Sequence, residues 1–149
     1  MYHRILVPVE NSSYDERILD HVRQLARYCG ASIVLIHVAD GWAARNIQHL
    51  NLRESEEMRA DREYIERLAE RLSTEGLDAE AVLATGDPSA EIAEAAEREH
   101  CDLIAMSTHG HRFIADLIYG SVASAVRHMT NIPVLLLRAP GSAKQKAAT

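Results

Sequence analysis

A chain of 149 residues, 47% hydrophobic and 26% charged, is long enough for one domain with a full core and too apolar to remain disordered. Its formal net charge of −6 argues against a general binder of nucleic acid or membrane surfaces, which would carry a basic face. An anionic ligand stays open, because a local nest of backbone amides holds phosphate on a mildly acidic surface.

Ile5-Leu6-Val7-Pro8-Val9 reads as a short β-branched strand whose pairing stops near Pro8. Ser13 with Glu16 forms a capping-box pattern, and Ile18, Val22, Leu25, Ala26 and Cys29 then line one helical face that Gly30 terminates. Ser32 to Val38 is almost continuously apolar, as a strand covered on both faces should be, and His37 within it reads as a hydrogen-bonded core histidine. Asp40 is a turn residue or a polar ligand contact, and Gly41 to Leu52 reads as a loop or short helix. From Glu54 to Glu75 the stripe Met58, Ile65, Leu68, Leu72 marks a helix, and its Glu and Arg residues form a solvated face.

Ala79 to Ala84 is a third strand, followed by a turn with Asp87 as N-cap and Pro88 as first residue of a helix carrying Ile92, Ala95 and Ala96. Leu103 to Met106, the fourth strand, runs directly into Ser107-Thr108-His109-Gly110. A helix over Ile114 to His128 is expected to break near Gly120, and Pro133 to Leu137 is the fifth strand. Residues 139–149 read as a disordered tail. Cys29 and Cys101 have no CxxC or finger spacing and read as reduced, buried small residues. No signal peptide is recognisable and no apolar stretch approaches the roughly 20 residues of a membrane span, so the expected compartment is the cytoplasm.

Strands alternating with helices imply an α/β fold: one open parallel five-stranded sheet with helices on both faces. Ligands of such sheets bind beyond the strand carboxyl ends, where the winding reverses. If the order is 3-2-1-4-5, strand four lies beside strand one, and Glu10-Asn11-Ser12-Ser13 after strand one would face the glycine loop after strand four. That loop, Gly110 followed after nine residues by Gly120-Ser121, looks like a phosphate cradle leading into a helix. The same glycines would also serve as a helix cap and a close-packing position. His111 and Arg112 approach a phosphate tail or are solvated loop residues. His109 and His111, without a cysteine or carboxylate cluster, are a poor zinc signal, and no metal site is expected. There is no Gly-Lys-Ser/Thr loop and no nucleophile elbow, so no catalytic residue is assigned.

Over Tyr2 to Arg138 the chain resembles the universal stress protein family. Nucleotide-binding members carry Gly, two residues, Gly, nine residues, then Gly-Ser or Gly-Thr. Here Gly110 and Gly120-Ser121 match, while Ser107 replaces the first glycine. Ile5-Leu6-Val7-Pro8-Val9-Glu10-Asn11-Ser12 resembles the family's first strand, where Asp normally stands in place of Glu10. Gly120-Ser121-Val122-Ala123, Val126-Arg127-His128 and Pro133-Val134-Leu135-Leu136 are also typical.

The resemblance implies a domain over 1–138 with sheet order 3-2-1-4-5, a Rossmann-like fold of the adenine nucleotide alpha hydrolase type. It implies an adenine nucleotide between strands one and four: ATP, with or without Mg²⁺, and otherwise AMP or ADP. Pro8, Val9 and Glu10 would border the adenosine, Val38 would meet the adenine edge, and Met106 and Ser107 would lie against the nucleoside. Gly110, Gly120, Ser121 and Val122 would surround the phosphates, with His109, His111 and Arg112 nearby. Glu10 is one methylene longer than Asp, and Ser107 adds a Cβ that crowds the ligand or a hydroxyl that bonds it. Both changes are expected to weaken binding rather than abolish it.

Val134, Leu135, Leu136 and Leu137 form an edge strand with no charge or bulge to blunt it, which predicts a homodimer through strand five. The expected role is a stress-response nucleotide sensor read by its dimer or by a protein partner, with no nucleic-acid or membrane partner. Two alternatives stand beside it: a nucleotide-free dimeric adaptor, and a slow ATPase or self-phosphorylating protein with Ser121 or Thr108 as acceptor. A phospho-receiver is disfavoured, because strand three ends in Ala84-Thr85-Gly86 without an acceptor Asp.

Overall fold

β-branched runs and amphipathic stripes resolve, in a computed structural model describing residues 1–39, 56–108 and 114–138, into five strands and four helices among those residues. The order is β1 (Arg4–Pro8), α1 (Asp15–Cys29), β2 (Ser32–Ala39), α2 (Glu56–Thr74), β3 (Ala79–Thr85), α3 (Pro88–Arg98), β4 (Leu103–Ser107), α4 (Ile114–Met129) and β5 (Val134–Leu137). The strands form one parallel sheet of order β3-β2-β1-β4-β5, as expected. The expectations for Asp40, for Gly41 to Leu52, for His109 to Arg112 and for the tail 139–149 lie outside the described residues.

The period-2 alternation of the strands divides the core into two layers. Ile5, Val7, Ile33, Leu35, Leu103 and Ala105 face α1 and α2, packing on Ile18, Leu19, Val22, Ile65, Leu68 and Leu72. Leu6, Val34, Ile36, Ile104 and Met106 face α3 and α4, packing on Ile92, Ala95, Ala96, Val122, Ala123 and Val126. Leu25 and Cys29 are only partly buried against the first layer, so Cys29 is less enclosed than expected. Cys101 is buried, and burial pushes its thiol up to about 11, which keeps it neutral and inert.

The helix boundaries follow local chemistry at two of the expected places. Gly30 closes α1 in the left-handed region, at φ 69°, where glycine carries no Cβ penalty. Asp87 caps α3 by accepting the Ala90 amide at 3.0 Å, with Pro88 in the first turn. That bond and a second from Ser89 hold the Asp87 carboxyl below the usual range.

Two further expectations fail. The Ser13–Glu16 capping box does not form: Tyr14 is the cap residue and its side chain accepts no cap bond, while Ser13 is exposed. Asp15 displaces it by turning its carboxylate back on the preceding turn, and Glu16 instead pairs with Arg71 of α2. Nor does α4 break at Gly120; it runs unbroken from Ile114 to Met129. A helix-interior glycine costs only about 1 kcal/mol, and the packing of Val122, Ala123 and Val126 outweighs it.

Candidate functional site

The sheet opens at its carboxyl end. β1 pairs with β2 from Arg4 to Pro8, and β4 pairs with β5 from Ile104 to Ser107. Between β1 and β4 the ladder holds only Ile5 opposite Leu103 and Leu6 opposite Ile104. Backbone chemistry explains why it stops. Arg4 O accepts from the Asp102 amide, so the even residues of β1 face β4, whereas the Val9 amide donates to Ile36 O on β2 at 2.8 Å. Pro8 is therefore aimed at β4 and has no N–H to give. The two strands part beyond Leu6, at the point where the winding reverses.

The turn after β1 is built around a buried carboxylate. Asp15, 3% exposed, accepts from the Glu10 amide at 3.0 Å, the Ser12 amide at 3.1 Å and the Tyr64 hydroxyl at 2.6 Å. Burial, and then this bond to Asp15, pushes the Tyr64 phenol well above its ordinary range, so it stays a donor. Asn11 takes a left-handed φ of 62°, a strained setting for a residue other than glycine. His37 on β2 places Nδ1 2.9 Å from Val9 O and Nε2 3.1 Å from Asp61 Oδ2 on α2. It is the hydrogen-bonded histidine that its position in the strand suggests.

Glu10 stands at the mouth of the crevice. Its Oε1 accepts from Ser12 Oγ at 2.6 Å, while Oε2 is buried and meets no donor among the described residues. A buried carboxylate oxygen without a donor is costly, so this atom suits a ligand hydroxyl or a water. No group of three or more His, Cys, Asp or Glu side chains suited to a metal ion occurs among the described residues.

The structure brings several of the expected site residues to this crevice. Pro8 ends β1, Val9 and Glu10 follow it, and Ser107 ends β4 with Thr108 bonded to Leu137 O. Val38 lies one residue before the end of β2, half-buried, with its side chain toward α3 and α4. Met106 is 1% exposed and Val122 9%, and both side chains belong to that same core layer. A contact of either with a ligand in the crevice would therefore be through backbone. Because α4 is continuous, the amides of Gly120, Ser121 and Val122 lie in its interior ladder rather than at its N-terminus; Ser121 itself is exposed. His109, Gly110, His111 and Arg112 lie outside the described residues.

Asp15, Asp61 and Tyr64 were not singled out from the sequence. One signal was available: Met58, Asp61, Ile65, Leu68 and Leu72 recur at three- and four-residue steps, so a carboxylate occupies the apolar stripe of α2. Asp15 had no comparable mark beyond its place in a first helical turn.

A doubly wound parallel sheet of order 3-2-1-4-5, parted between its first and fourth strands, defines an adenine nucleotide alpha hydrolase-like fold. Within that class the chain belongs to the Universal stress protein family, whose profile matches residues 1–138. Universal stress protein MJ0577 of Methanocaldococcus jannaschii is 28% identical over 159 residues, covering 95% of this chain and 98% of the relative. The solved structure of MJ0577 superposes with a TM-score of 0.81 at 27% identity, over 95% of this chain and 99% of that one.

Two further structures share the fold. A universal stress protein from Archaeoglobus fulgidus in complex with dAMP gives a TM-score of 0.66 at 23% identity, over 91% and 97% of the two chains. A universal stress protein in complex with cAMP gives 0.64 at 20% identity, over 92% and 97%.

Proposed function

We propose that this protein binds an adenine nucleotide, ATP foremost, in the crevice between β1 and β4. The carrying observation is the buried, donorless Oε2 of Glu10 where Pro8 parts the two strands, an acceptor suited to a ribose hydroxyl. Relatives of the same fold that hold dAMP and cAMP support the ligand class. In this reading Pro8, Val9 and Glu10 border the nucleoside with Val38, Met106 and Ser107, Met106 chiefly through its backbone. Gly110, with His109, His111 and Arg112, receives the phosphates. Gly120 contributes the absence of a side chain, Ser121 its hydroxyl and Val122 its packing beneath them. The protein is a cytoplasmic stress-response sensor, and occupancy is read by a homodimer formed through β5, an edge strand on which Leu136 is 39% exposed.

The test is to denature purified protein, identify released nucleotide by mass spectrometry, and titrate the stripped protein calorimetrically with ATP and AMP. Micromolar binding is expected, weakened about tenfold in Glu10→Ala, the loss of one hydrogen bond to a charged group. Gly110→Val and Gly120→Val should weaken ATP more than AMP. Undiminished ATP binding in both valine variants would refute the phosphate site. No released nucleotide and no heat would favour the nucleotide-free adaptor, a reading that the unbroken α4 also suits. Phosphate release that depends on Mg²⁺ would favour the slow ATPase.

A further inference from the structure

His37 is wedged between two groups that can only accept. Its Nδ1 meets the Val9 carbonyl at 2.9 Å and its Nε2 meets the Asp61 carboxylate at 3.1 Å. Hydrogen bonds on both sides need an N–H on both ring nitrogens, which only the imidazolium has. A neutral ring satisfies one side and turns a lone pair on an oxygen at the other. Both side chains are shielded, at 12% and 14% exposure, where a charge-assisted bond is strong and an unmet one costly.

What the ring holds is the frame of the crevice. Val9 O lies one residue before Glu10, and Asp61 uses its other oxygen, Oδ1, to accept from Asn11 Nδ2 at 3.4 Å, one residue after Glu10. Asn11 needs such a tether, because its left-handed backbone is strained. Asp61 of α2 is the ionisable side chain set against the ring; the clamped turn carries Glu10, whose amide is held by Asp15 of α1, itself bonded to the Tyr64 hydroxyl of α2, and Arg62 follows Asp61 in α2 with its side chain exposed. β3 places the apolar Leu83 in register next to His37.

We propose that His37 and Asp61 are positioning residues for the crevice: the His37 imidazolium clamps Val9 and Asn11 on either side of Glu10, so that ligand binding is coupled to proton retention at His37. The coupling rests on the nucleotide reading given above; the clamp itself does not. By linkage, a ligand that favours the clamped turn binds more weakly as the ring loses its second proton with rising pH.

The experiment has two arms. In the first, nitrogen-detected NMR follows the His37 ring and the Glu10 and Asn11 amides of ligand-free protein from about pH 5.5 to 8.5. Both ring nitrogens should be protonated at the acid end, with the two amides shifting together with the ring. A ring that stays neutral throughout, or amides that ignore its titration, overturns the clamp.

In the second arm, AMP is titrated at both ends of that range into wild type, His37→Gln and Asp61→Asn. Wild type should lose about tenfold in affinity from acid to base, and the variants should bind at the weaker level with little pH dependence. Wild-type binding that ignores pH, beside a titrating ring, overturns the coupling. No AMP or ATP binding at either pH, with ring and amides titrating together, overturns the nucleotide reading and supports the clamp. Should His37→Gln not fold, Asp61→Asn and the wild-type pH profile carry the test.

Discussion

The two ends of the sheet satisfy their polar groups in opposite ways. At the amino end, Asp102 accepts the His3 amide at 2.9 and 3.0 Å and the Arg4 amide at 3.0 Å, with the His3 ring at 3.1 Å. Arg4 reaches Glu80 at 2.9 Å, Glu99 O at 2.8 Å and the Glu99 carboxylate at 3.3 Å, tying β1 to β3 and to the end of α3. A shallow groove bordered by His3, Arg27 and Asp78 runs beside this network. At the carboxyl end the ladder parts, Asn11 is strained, and Glu10 keeps an unmet buried oxygen, the single such side-chain atom among the described residues. One end is closed by the chain itself, and the other leaves an acceptor for something outside it. A groove alone does not mark a site; an unsatisfied group at a topological break does.

The largest test of this contrast is Asp15→Ala, which strands three donors at the open end. Urea unfolding should show a loss of roughly 3 kcal/mol, and nucleotide affinity should fall with it because the Glu10 turn loses its anchor. A variant with full affinity would detach the anchor from the site.

Asp102→Ala should cost less, about 1 kcal/mol, because that carboxylate is partly solvated, and should leave nucleotide affinity unchanged. Its pH dependence has a definite sign. Partial burial pushes the Asp102 carboxyl up, but the Arg4 and His3 amides and the His3 ring outweigh it and the net is below the usual value of 3.8. Its contribution is therefore complete above about pH 5 and lost as pH falls through the lowered folded value. Unfolding free energy between about pH 5 and pH 2.5 should fall less steeply in Asp102→Asn than in wild type.

A smaller effect is expected at Pro8. Pro8→Ala restores an N–H aimed at β4, and hydrogen exchange at that amide reports whether the ladder extends. A protected amide with weaker nucleotide binding would confirm that proline holds the crevice open; a fast-exchanging amide with unchanged affinity would deny it. The smallest effect concerns Cys101. Held neutral at about 11 and buried, it should resist alkylation near pH 8 until the protein unfolds, while Cys29 reacts first.

Most of the architecture was legible because its signals are local. Strands read as apolar runs, Gly30 and Asp87 carried their own capping chemistry, and the alternation of elements forced parallel pairing. Two expectations failed where local signals competed. Ser13 had the pattern of a cap, yet Asp15, two residues on, had more donors within reach. Gly120 had the propensity of a break, yet its neighbours had a core layer to fill.

The sequence by itself determined the succession of strands and helices, because periodicity and turn residues act over a few positions, while the strand order, and with it the crevice between strands one and four, came with the family resemblance its motifs carry. Only the tertiary structure decided what that crevice is made of. Residues 9, 10, 11, 15, 37, 61 and 64 meet there from one strand, two helices and a turn. Which buried donor finds which acceptor depends on how those elements pack, and so the unmet oxygen of Glu10 and the doubly engaged ring of His37 became visible only once the chain was folded.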